Sequence, residues 1–252
     1  MSQDIVKAKK PKAKRPVALI TGASQGIGAA IALKLAKNYD LALCARNKAK
    51  LDALADQLKQ QDPLVTAHVS PCDVTDNTQI QETVKHVNDT FGRIDVLINN
   101  AGVAPKVGLL QELSADTVNK TIDTNLKAPI FMMQAVIPIM VEQGSGTIIN
   151  INSVAGQTAY PFWAVYDASK FGLRAVTEAV AEEQRNNNIK VMGIYPGAVD
   201  TAIWDALDLA AAPDKTGMMT PDDIANAVNY VLQQPAGVAV RSVSLSPLKP
   251  TL

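Results

Sequence analysis

Residues 17–37 read Val-Ala-Leu-Ile-Thr-Gly-Ala-Ser-Gln-Gly-Ile-Gly-Ala-Ala-Ile-Ala-Leu-Lys-Leu-Ala-Lys, and this stretch decides the fold. Val17 to Thr21 is an apolar run of strand length, residues 22–28 form a glycine-rich turn, and the residues from Ala29 onward have helical composition. Glycines let a backbone approach a pyrophosphate, and the free N–H groups that begin the next helix stabilise its charge. This order predicts a nucleotide-binding unit, with a merely tight turn as the alternative, because the spacing G-x-x-x-G-x-G differs from the standard G-x-G-x-x-G.

The rest of the chain alternates apolar runs with helical segments. Further strands are predicted at residues 41–45, 65–69, 94–98, 147–151, 189–194 and 238–245, and helices at about 48–60, 77–91, 115–141 and 221–232, with another ending near 185. Such alternation is typical of a parallel sheet with right-handed crossovers. We therefore predict one α/β domain.

Composition limits the possible functions. The 252 residues carry 24 basic and 24 acidic side chains, so no overall field favours nucleic acid or a membrane. The first 16 residues hold six Lys and Arg against Asp4, which predicts a disordered basic tail over residues 1–15, with an anionic partner as the alternative. In the sequence no apolar stretch approaches 18 residues, and the N-terminus lacks the apolar core of a signal peptide, so we expect a cytoplasmic protein. Cys44 and Cys72 are expected to be buried free thiols, without a metal site.

Residues 153–170 carry the candidate catalytic groups. Tyr166 and Lys170 are four residues apart, so on a helix they share one face, and the cation is expected to lower the pKa of the phenol. Ser153 follows the predicted strand at 147–151, which places its hydroxyl at the carboxyl edge of the sheet. Asn125 is unfavourable in a helix interior and should have a packing partner or a task. An ordinary helical pair and a serine that merely opens a loop are the alternative interpretation.

The end of the second strand indicates which cofactor is used. A carboxylate there would hold the ribose 2′-hydroxyl of NAD, but the position is occupied by Ala45 and is followed by Arg46. A guanidinium matches phosphate oxygens, so NADPH is favoured. The alternative is that Arg46 is a solvated residue opening a helix, because Gln25 stands in the glycine loop where a second cation could be.

The sequence resembles the classical short-chain dehydrogenase/reductase family over about residues 15–246. The matching motifs are Thr-Gly-x-x-x-Gly-Ile-Gly at 21–28, Asp73-Val74, Asn-Asn-Ala-Gly at 99–102, Asn125, Ser153, Tyr-x-x-x-Lys at 166–170 and Pro-Gly at 196–197. The resemblance implies a doubly wound Rossmann-type domain with a seven-stranded parallel sheet and helices on both faces. It also implies hydride transfer between a carbonyl or alcohol and a nicotinamide dinucleotide, here NADP(H). The cofactor half would span about residues 16–150, and the catalytic and substrate half about 151–252.

The resemblance also implies residue roles. Tyr166 would be the general acid/base, Lys170 would lower its pKa and bind the nicotinamide ribose, Ser153 would bind the substrate oxygen, and Asn125 would anchor a water that links Lys170 to solvent. The implied cofactor contacts are Gly22, Ser24, Gln25, Gly26, Ile27 and Gly28 at the pyrophosphate, Arg46 at the ribose, Asp73 and Val74 beside adenine, Asn100, Ala101 and Gly102 on the adenosine side, and Pro196, Gly197, Val199 and Thr201 at the nicotinamide.

Some positions depart from the family pattern, and some functions stay open. Asn152 stands where many members have a serine, and Asp167 occupies a position that is often serine or asparagine. The ending at 242–247 lacks the Asp-Gly-Gly of many acyl-carrier-protein reductases. A 3-oxoacyl thioester reductase and a non-catalytic dinucleotide-sensing protein are the alternatives. Small residues at Ala168, Gly172, Ala175 and Ala179 favour a homodimer or homotetramer. The expected pocket walls are 103–110, 160–163, 203–204, Leu207 and Leu209. Lys106 is their one cation, so a neutral, mostly apolar carbonyl is expected.

Overall fold

A computed structural model describes residues 15–206 and 215–248. The predicted basic tail and the predicted wall residues Leu207 and Leu209 lie outside these residues, apart from Arg15. The strands are β1 (Val17–Thr21), β2 (Asp40–Ala45), β3 (Ala67–Pro71), β4 (Val96–Asn99), β5 (Gly146–Ile151), β6 (Ile189–Pro196) and β7 (Ser242–Leu245). The helices are α1 (Gly26–Leu35), α2 (Lys48–Gln61), α3 (Asn77–Phe91), α4 (Ala115–Ile122), α5 (Ala128–Gln143), α6 (Ala164–Glu183) and α7 (Pro221–Leu232).

The seven strands form one sheet in the order β3-β2-β1-β4-β5-β6-β7, and every pairing is parallel. This confirms the predicted fold class. The strand order reverses direction between β1 and β4. In a doubly wound sheet, ligands bind outside the carboxyl ends of the strands at such a switch point.

Both faces of the sheet are covered by helices. In β1, Ala18 and Ile20 point into a core shared with α1, α2 and α7, while Val17 and Leu19 point into a core shared with α3 and α5. Successive side chains of a strand face opposite sides, so a strand buried on both faces reads as one continuous apolar run. All five residues of β1 are accordingly buried.

Several predicted boundaries shift by a few residues. β3 begins at Ala67 and not at Val65. The N–H of the preceding Thr66 donates to the side chain of Asp40, the first residue of β2, at 2.9 Å. β7 begins only at Ser242, since Val238 N–H donates to Pro235 O at 2.9 Å in a turn. The long helical region predicted at 115–141 is divided into α4 and α5 by a π-helical turn, Asp123–Lys127.

The continuous helical stretch Ala115–Gln143 corrects the expectation that no apolar segment is long enough to span a membrane. It has 29 residues and a window of mean hydropathy 1.3, so by length and composition alone it could cross a membrane. Met132, Val136 and Met140 of α5 are instead buried in the core below the sheet. A helix that packs in a protein core has the same composition, and the packing observed here accounts for it.

Candidate active site

The predicted site residues converge on the carboxyl edge of the sheet. The glycine loop follows β1, residues 100–102 follow β4, Ser153 follows β5, and residues 197–201 follow β6. Between them lies a cavity of about 670 Å³. It is lined by Ser153, Tyr166 and Lys170 and by seven of the predicted cofactor residues: Ile27, Asn100, Gly102, Pro196, Gly197, Val199 and Thr201.

Helix α6 presents Tyr166 and Lys170 to the same cavity, as their spacing predicts. Lys170 Nζ lies 5.7 Å from the centroid of the Tyr166 ring and donates a hydrogen bond of 3.2 Å to Ile151 O. Lys170 is only 5% exposed. The ammonium is thus fixed between the end of β5 and the phenol.

Burial dominates the protonation of this pair. The pKa of Tyr166 is raised to about 12, chiefly by burial and to a smaller extent by the charge of Asp167, while the hydrogen bond with Ser153 opposes the shift. Burial also lowers the pKa of Lys170 to about 8. The shift of the Tyr166 pKa is opposite to the one predicted from the charge of Lys170, because burial disfavours the charged phenolate. At neutral pH the phenol therefore holds its proton.

Two asparagines fix the geometry around the catalytic candidates. Asn152 accepts from its neighbour Ser153 N–H at 2.9 Å and donates to Lys170 O at 3.1 Å, which joins the end of β5 to α6. Asn125, in the π-helical turn, holds both the N–H and the C=O of Val103 at 2.8 Å. Its amide also donates to Ser169 Oγ at 3.2 Å. Asn125 thus has the packing partners expected of it, and it does not line the cavity.

The glycine loop is closely packed against the end of β4. A Cβ on Gly28 would lie 2.4 Å from Gly22 O and 2.6 Å from the Asn100 amide nitrogen, so no larger residue fits there. The Asn100 amide donates to Thr21 O at 3.0 Å and to Gly22 O at 3.2 Å. Gly22 and Gly26 have φ of +65° and +56°, a region that favours glycine.

The start of α1 fits an anionic group. Its N-cap Gln25 makes no side-chain cap, and its first turn contains no acidic residue. The N–H groups there have no capping side chain, and their dipole favours a negative charge. The residues present therefore fit the pyrophosphate of a dinucleotide, with Ser24 and Gln25 in the loop beside it.

A second cation stands near Arg46, and sequence reasoning missed it. Arg46 is exposed beyond the end of β2, and Lys50, in the first turn of α2, donates to Gln25 Oε1 at 2.7 Å. The contact links residues 25 positions apart, so only the fold brings this cation to the glycine loop. Lys48, two residues earlier, is paired instead with Asp52 at 2.8 Å.

The remaining predicted residues lie around the edges of the crevice. Asp73 follows β3 and accepts from Thr75 N–H at 3.0 Å, and Val74 next to it is buried. Ala101 N–H donates to Thr21 Oγ1 at 3.1 Å, which makes Thr21 a support that sequence reasoning did not single out. In the described chain, Lys106 is not among the residues that line the cavity, whereas Ser246 and Pro247 are.

Neither the cysteines nor the histidine His68 belongs to the crevice. Cys44 and Cys72 are free and buried, and His68 makes an edge-to-face contact with Phe91. Within residues 15–206 and 215–248, no three His, Cys, Asp or Glu side chains are grouped as metal ligands.

Comparison with known proteins adds to this geometry. A model of the short chain dehydrogenase family matches residues 16–211. An uncharacterized oxidoreductase of Staphylococcus aureus strain MW2 is 36% identical over 235 residues, which is 92% of this chain and 97% of that protein.

Two solved structures are similar in fold and length. An alcohol dehydrogenase from the archaeon Thermococcus sibiricus, complexed with 5-hydroxy-NADP, is 31% identical with a TM-score of 0.86, covering 94% of this chain and 99% of that one. A 3-ketoacyl-(acyl-carrier-protein) reductase from Brucella melitensis, complexed with NADH, is 25% identical with a TM-score of 0.83, covering 92% and 97%.

A doubly wound sheet with a glycine loop at its switch point and a tyrosine and lysine at its carboxyl edge defines a class, the dinucleotide-dependent dehydrogenases. Within that class, the chain belongs to the short-chain dehydrogenase family. It is an oxidoreductase that acts on CH–OH groups of small molecules with a nicotinamide dinucleotide as cofactor.

Proposed function

We propose that this protein is an NADP(H)-dependent oxidoreductase that interconverts a neutral, mostly apolar carbonyl and its alcohol. The observation that carries the proposal is the placement of the Tyr166 phenol beside Ser153 and Lys170 in a mostly apolar cavity. When bound, the dinucleotide supplies or accepts the hydride.

Tyr166 and Ser153 act on the substrate oxygen. Reduction builds negative charge on that oxygen, and donors that are already aimed at it stabilise the transition state. Tyr166 delivers its proton to the oxygen, and Ser153 donates a hydrogen bond to it. In the oxidation direction Tyr166 takes the proton from the alcohol, so this direction is favoured by higher pH.

Lys170 and Asn125 support this proton transfer. The buried ammonium of Lys170 faces the Tyr166 ring, so it stabilises the phenolate left after proton donation. Asn125 fixes the backbone of Val103 next to Gly102, on the side of the cavity where Lys170 Nζ lies. We propose that Asn125 positions the cavity wall at Gly102 and Val103. We also keep the role implied by the family, in which Asn125 anchors a water that links Lys170 to solvent.

The preference for NADPH over NADH rests on the end of β2. Ala45 offers no carboxylate to a ribose 2′-hydroxyl, while Arg46 follows it as an exposed cation and Lys50 contacts Gln25 of the glycine loop. A 2′-phosphate is stabilised by such donors and a 2′-hydroxyl much less. We further propose that about residues 16–150 form the cofactor half of the domain. The catalytic and substrate half would span about residues 151–252.

A screen with purified protein tests the proposal. NADPH and NADH are each offered with ketones, aldehydes, 3-oxoacyl thioesters, sugars and phosphorylated sugars, and consumption of reduced cofactor is followed. We expect faster turnover with NADPH and with neutral apolar carbonyls. Preferred turnover of a phosphorylated sugar would contradict the substrate assignment. A strong preference for 3-oxoacyl thioesters would identify the alternative reductase, and binding of cofactor without turnover of any carbonyl would identify the dinucleotide sensor.

A further inference from the structure

We infer that the cavity selects carbonyl substrates that carry a planar aromatic ring, and that Phe162 is the side chain that recognises the ring. The inference deepens the proposed function and rests on it for the reaction, but it can be tested by binding alone.

Aromatic side chains are concentrated around this cavity. Aromatic residues make up only 4% of the chain, yet five of its eleven Phe, Trp and Tyr residues line this one cavity: Tyr160, Phe162, Trp163, Tyr166 and Trp204. Two of them are already fixed. Trp163 stands edge-on to Tyr166 at 5.5 Å, and Trp204 Nε1 donates to Val199 O at 2.8 Å. Tyr166 is engaged by Trp163 and Ser153, which leaves Tyr160 and Phe162, 43% and 55% exposed, as the aromatic side chains most open to a ligand.

The cavity offers almost no charge to a ligand. Lys170 is the single charged side chain among the described residues that line it, and its ammonium already donates to Ile151 O. A charged substituent would therefore be desolvated without a partner, which is costly. Part of the 670 Å³ must also hold the nicotinamide end of the cofactor, so the remaining space suits a compact neutral group.

Phe162 has a backbone conformation that few aromatic residues adopt. Its φ is +70°, and the other described non-glycine residue with a positive φ is Asn188, a type that tolerates it. Three hydrogen bonds hold the Phe162 segment in place. Gly108 N–H donates to Phe162 O at 3.2 Å, Trp163 N–H donates to Tyr160 O at 3.2 Å, and Tyr160 N–H donates to Asp167 Oδ2 at 2.8 Å.

Packing among the described residues does not account for this strain. The Phe162 side chain is left 55% exposed at the cavity, so burial of its ring does not explain why a phenylalanine occupies this position. Backbone strain that is held by the surrounding structure concentrates at ligand sites. A ring that stays exposed at the cavity, on a backbone held by these hydrogen bonds, is suited to an offset or edge-on contact with an aromatic ring of the substrate.

A matched pair of ketones tests the inference. 4-Phenylbutan-2-one and 4-cyclohexylbutan-2-one share a reactive end and differ in whether the remote ring is planar and aromatic. We measure dissociation constants for both on the cofactor-loaded protein, and kcat/KM where turnover occurs. An aromatic contact predicts that the phenyl compound is preferred by about two- to tenfold in the native protein.

The variant Phe162→Gly removes the ring and leaves the backbone in a conformation that glycine adopts without strain, so its Tm should stay level or rise. We expect its preference for the phenyl ketone to fall to about one. Phe162→Leu keeps apolar bulk and should lose the preference as well. The matched control is Phe171→Ala, since Phe171 is a 39% exposed phenylalanine of α6 that does not line the cavity, and this variant should keep the native preference.

Three results would overturn the inference: tighter binding of the cyclohexyl ketone by the native protein, an unchanged preference in Phe162→Gly, or an equal loss in Phe171→Ala. Absence of turnover with every carbonyl would instead refute the proposed function. The ratio of the two dissociation constants would still decide the role of Phe162.

Discussion

Asp167 shows how one residue beside the candidate acid changes the site. It is 4% exposed, its Oδ2 accepts from Tyr160 N–H, and its Oδ1 has no hydrogen-bond partner. Burial raises the pKa of this carboxyl, and the Tyr160 hydrogen bond only partly opposes the shift. Its negative charge in turn raises the pKa of Tyr166. Asp167 therefore affects both folding and proton transfer.

The variant Asp167→Asn should separate these two effects. A carboxyl whose folded pKa is raised binds more protons when folded than when unfolded, so its ionisation lowers stability as pH rises from its unfolded pKa through its folded pKa. Asn removes this loss, so we expect a higher Tm than the native protein at neutral pH and a difference that shrinks on acidification. Loss of the charge also lowers the pKa of Tyr166, so the pH profile of alcohol oxidation should move to lower pH. Asp222→Asn, in the first turn of α7, is the control, and an unmoved profile in Asp167→Asn would contradict the assignment.

Tyr166→Phe tests the acid itself. The change removes only a hydroxyl, so folding and cofactor binding should survive while kcat falls by about 10² to 10⁴. Steady-state kinetics with the best carbonyl of the screen, together with cofactor titration, measure both effects. Tyr230→Phe, on the exposed face of α7, should behave as the native protein. Retention of most of the rate in Tyr166→Phe would show that another group supplies the proton.

For single residues, the sequence predicts which side chains lie together in the site but not their protonation states. The spacing of Tyr166 and Lys170 places both on one helix face, and Ser153 follows its strand as predicted. The direction of the Tyr166 pKa shift could not be predicted, because it depends on burial by segments distant in sequence. Lys50 was missed for the same reason, since its contact with Gln25 exists only after α2 has packed beside the glycine loop.

The junction of β2 with α2 is the element expected to choose the cofactor. Arg46→Ala should raise the KM for NADPH far more than the KM for NADH, and Lys50→Ala should do the same to a smaller degree, because each removes one cation from the 2′-phosphate. Ala45→Asp should reverse the preference by repelling that phosphate.

Binding without turnover provides an independent measurement for this junction. Adenosine 2′,5′-bisphosphate and 5′-AMP differ in the 2′-phosphate, so calorimetric titration of both isolates its contribution. Lys48→Ala is the matched control, because Lys48 is exposed on the same helix turn and already paired with Asp52. Equal use of NADPH and NADH by the native protein would contradict this assignment.

Element boundaries were predicted less well than element order. Hydrophobic runs locate the central strands best, since β1 and β2 are buried at every position, whereas the edge strands β3 and β7 are partly exposed. Their first and last residues depend on pairing partners, as at Ala67, where Thr66 is held by Asp40 of the neighbouring strand. The π-helical turn at Asp123–Lys127 could not be predicted from propensity, because it is fixed by the contact of Asn125 with Val103.

For the whole molecule, we keep the proposal of a homodimer or homotetramer in the cytoplasm. Ala168, Ala175 and Ala179 form an exposed stripe of small residues on α6, which permits close approach of a second helix. Gly172 serves another purpose than predicted, because a Cβ there would lie 2.9 Å from Leu126 of the same chain.

The molar mass in solution tests this assembly. Light scattering at micromolar concentration should give a multiple of 26.8 kDa for the native protein. Ala175→Arg places a long charged side chain in the exposed stripe and should lower that mass, whereas Lys48→Arg should leave it unchanged. A strictly monomeric native protein would contradict the proposal.

The single five-residue turn between α4 and α5 has a consequence for how the two layers of the molecule fit together. A regular α-helix advances about 100° per residue, so one extra residue in a turn rotates everything after it by about that angle. The turn at Asp123–Lys127 therefore rotates the buried face of α5 about the helix axis relative to that of α4. Upstream of it, α4 packs against α6, and downstream of it the methionines of α5 face the sheet. A regular α-helix through both segments would pack well on only one side, whereas the π-helical turn lets both segments pack.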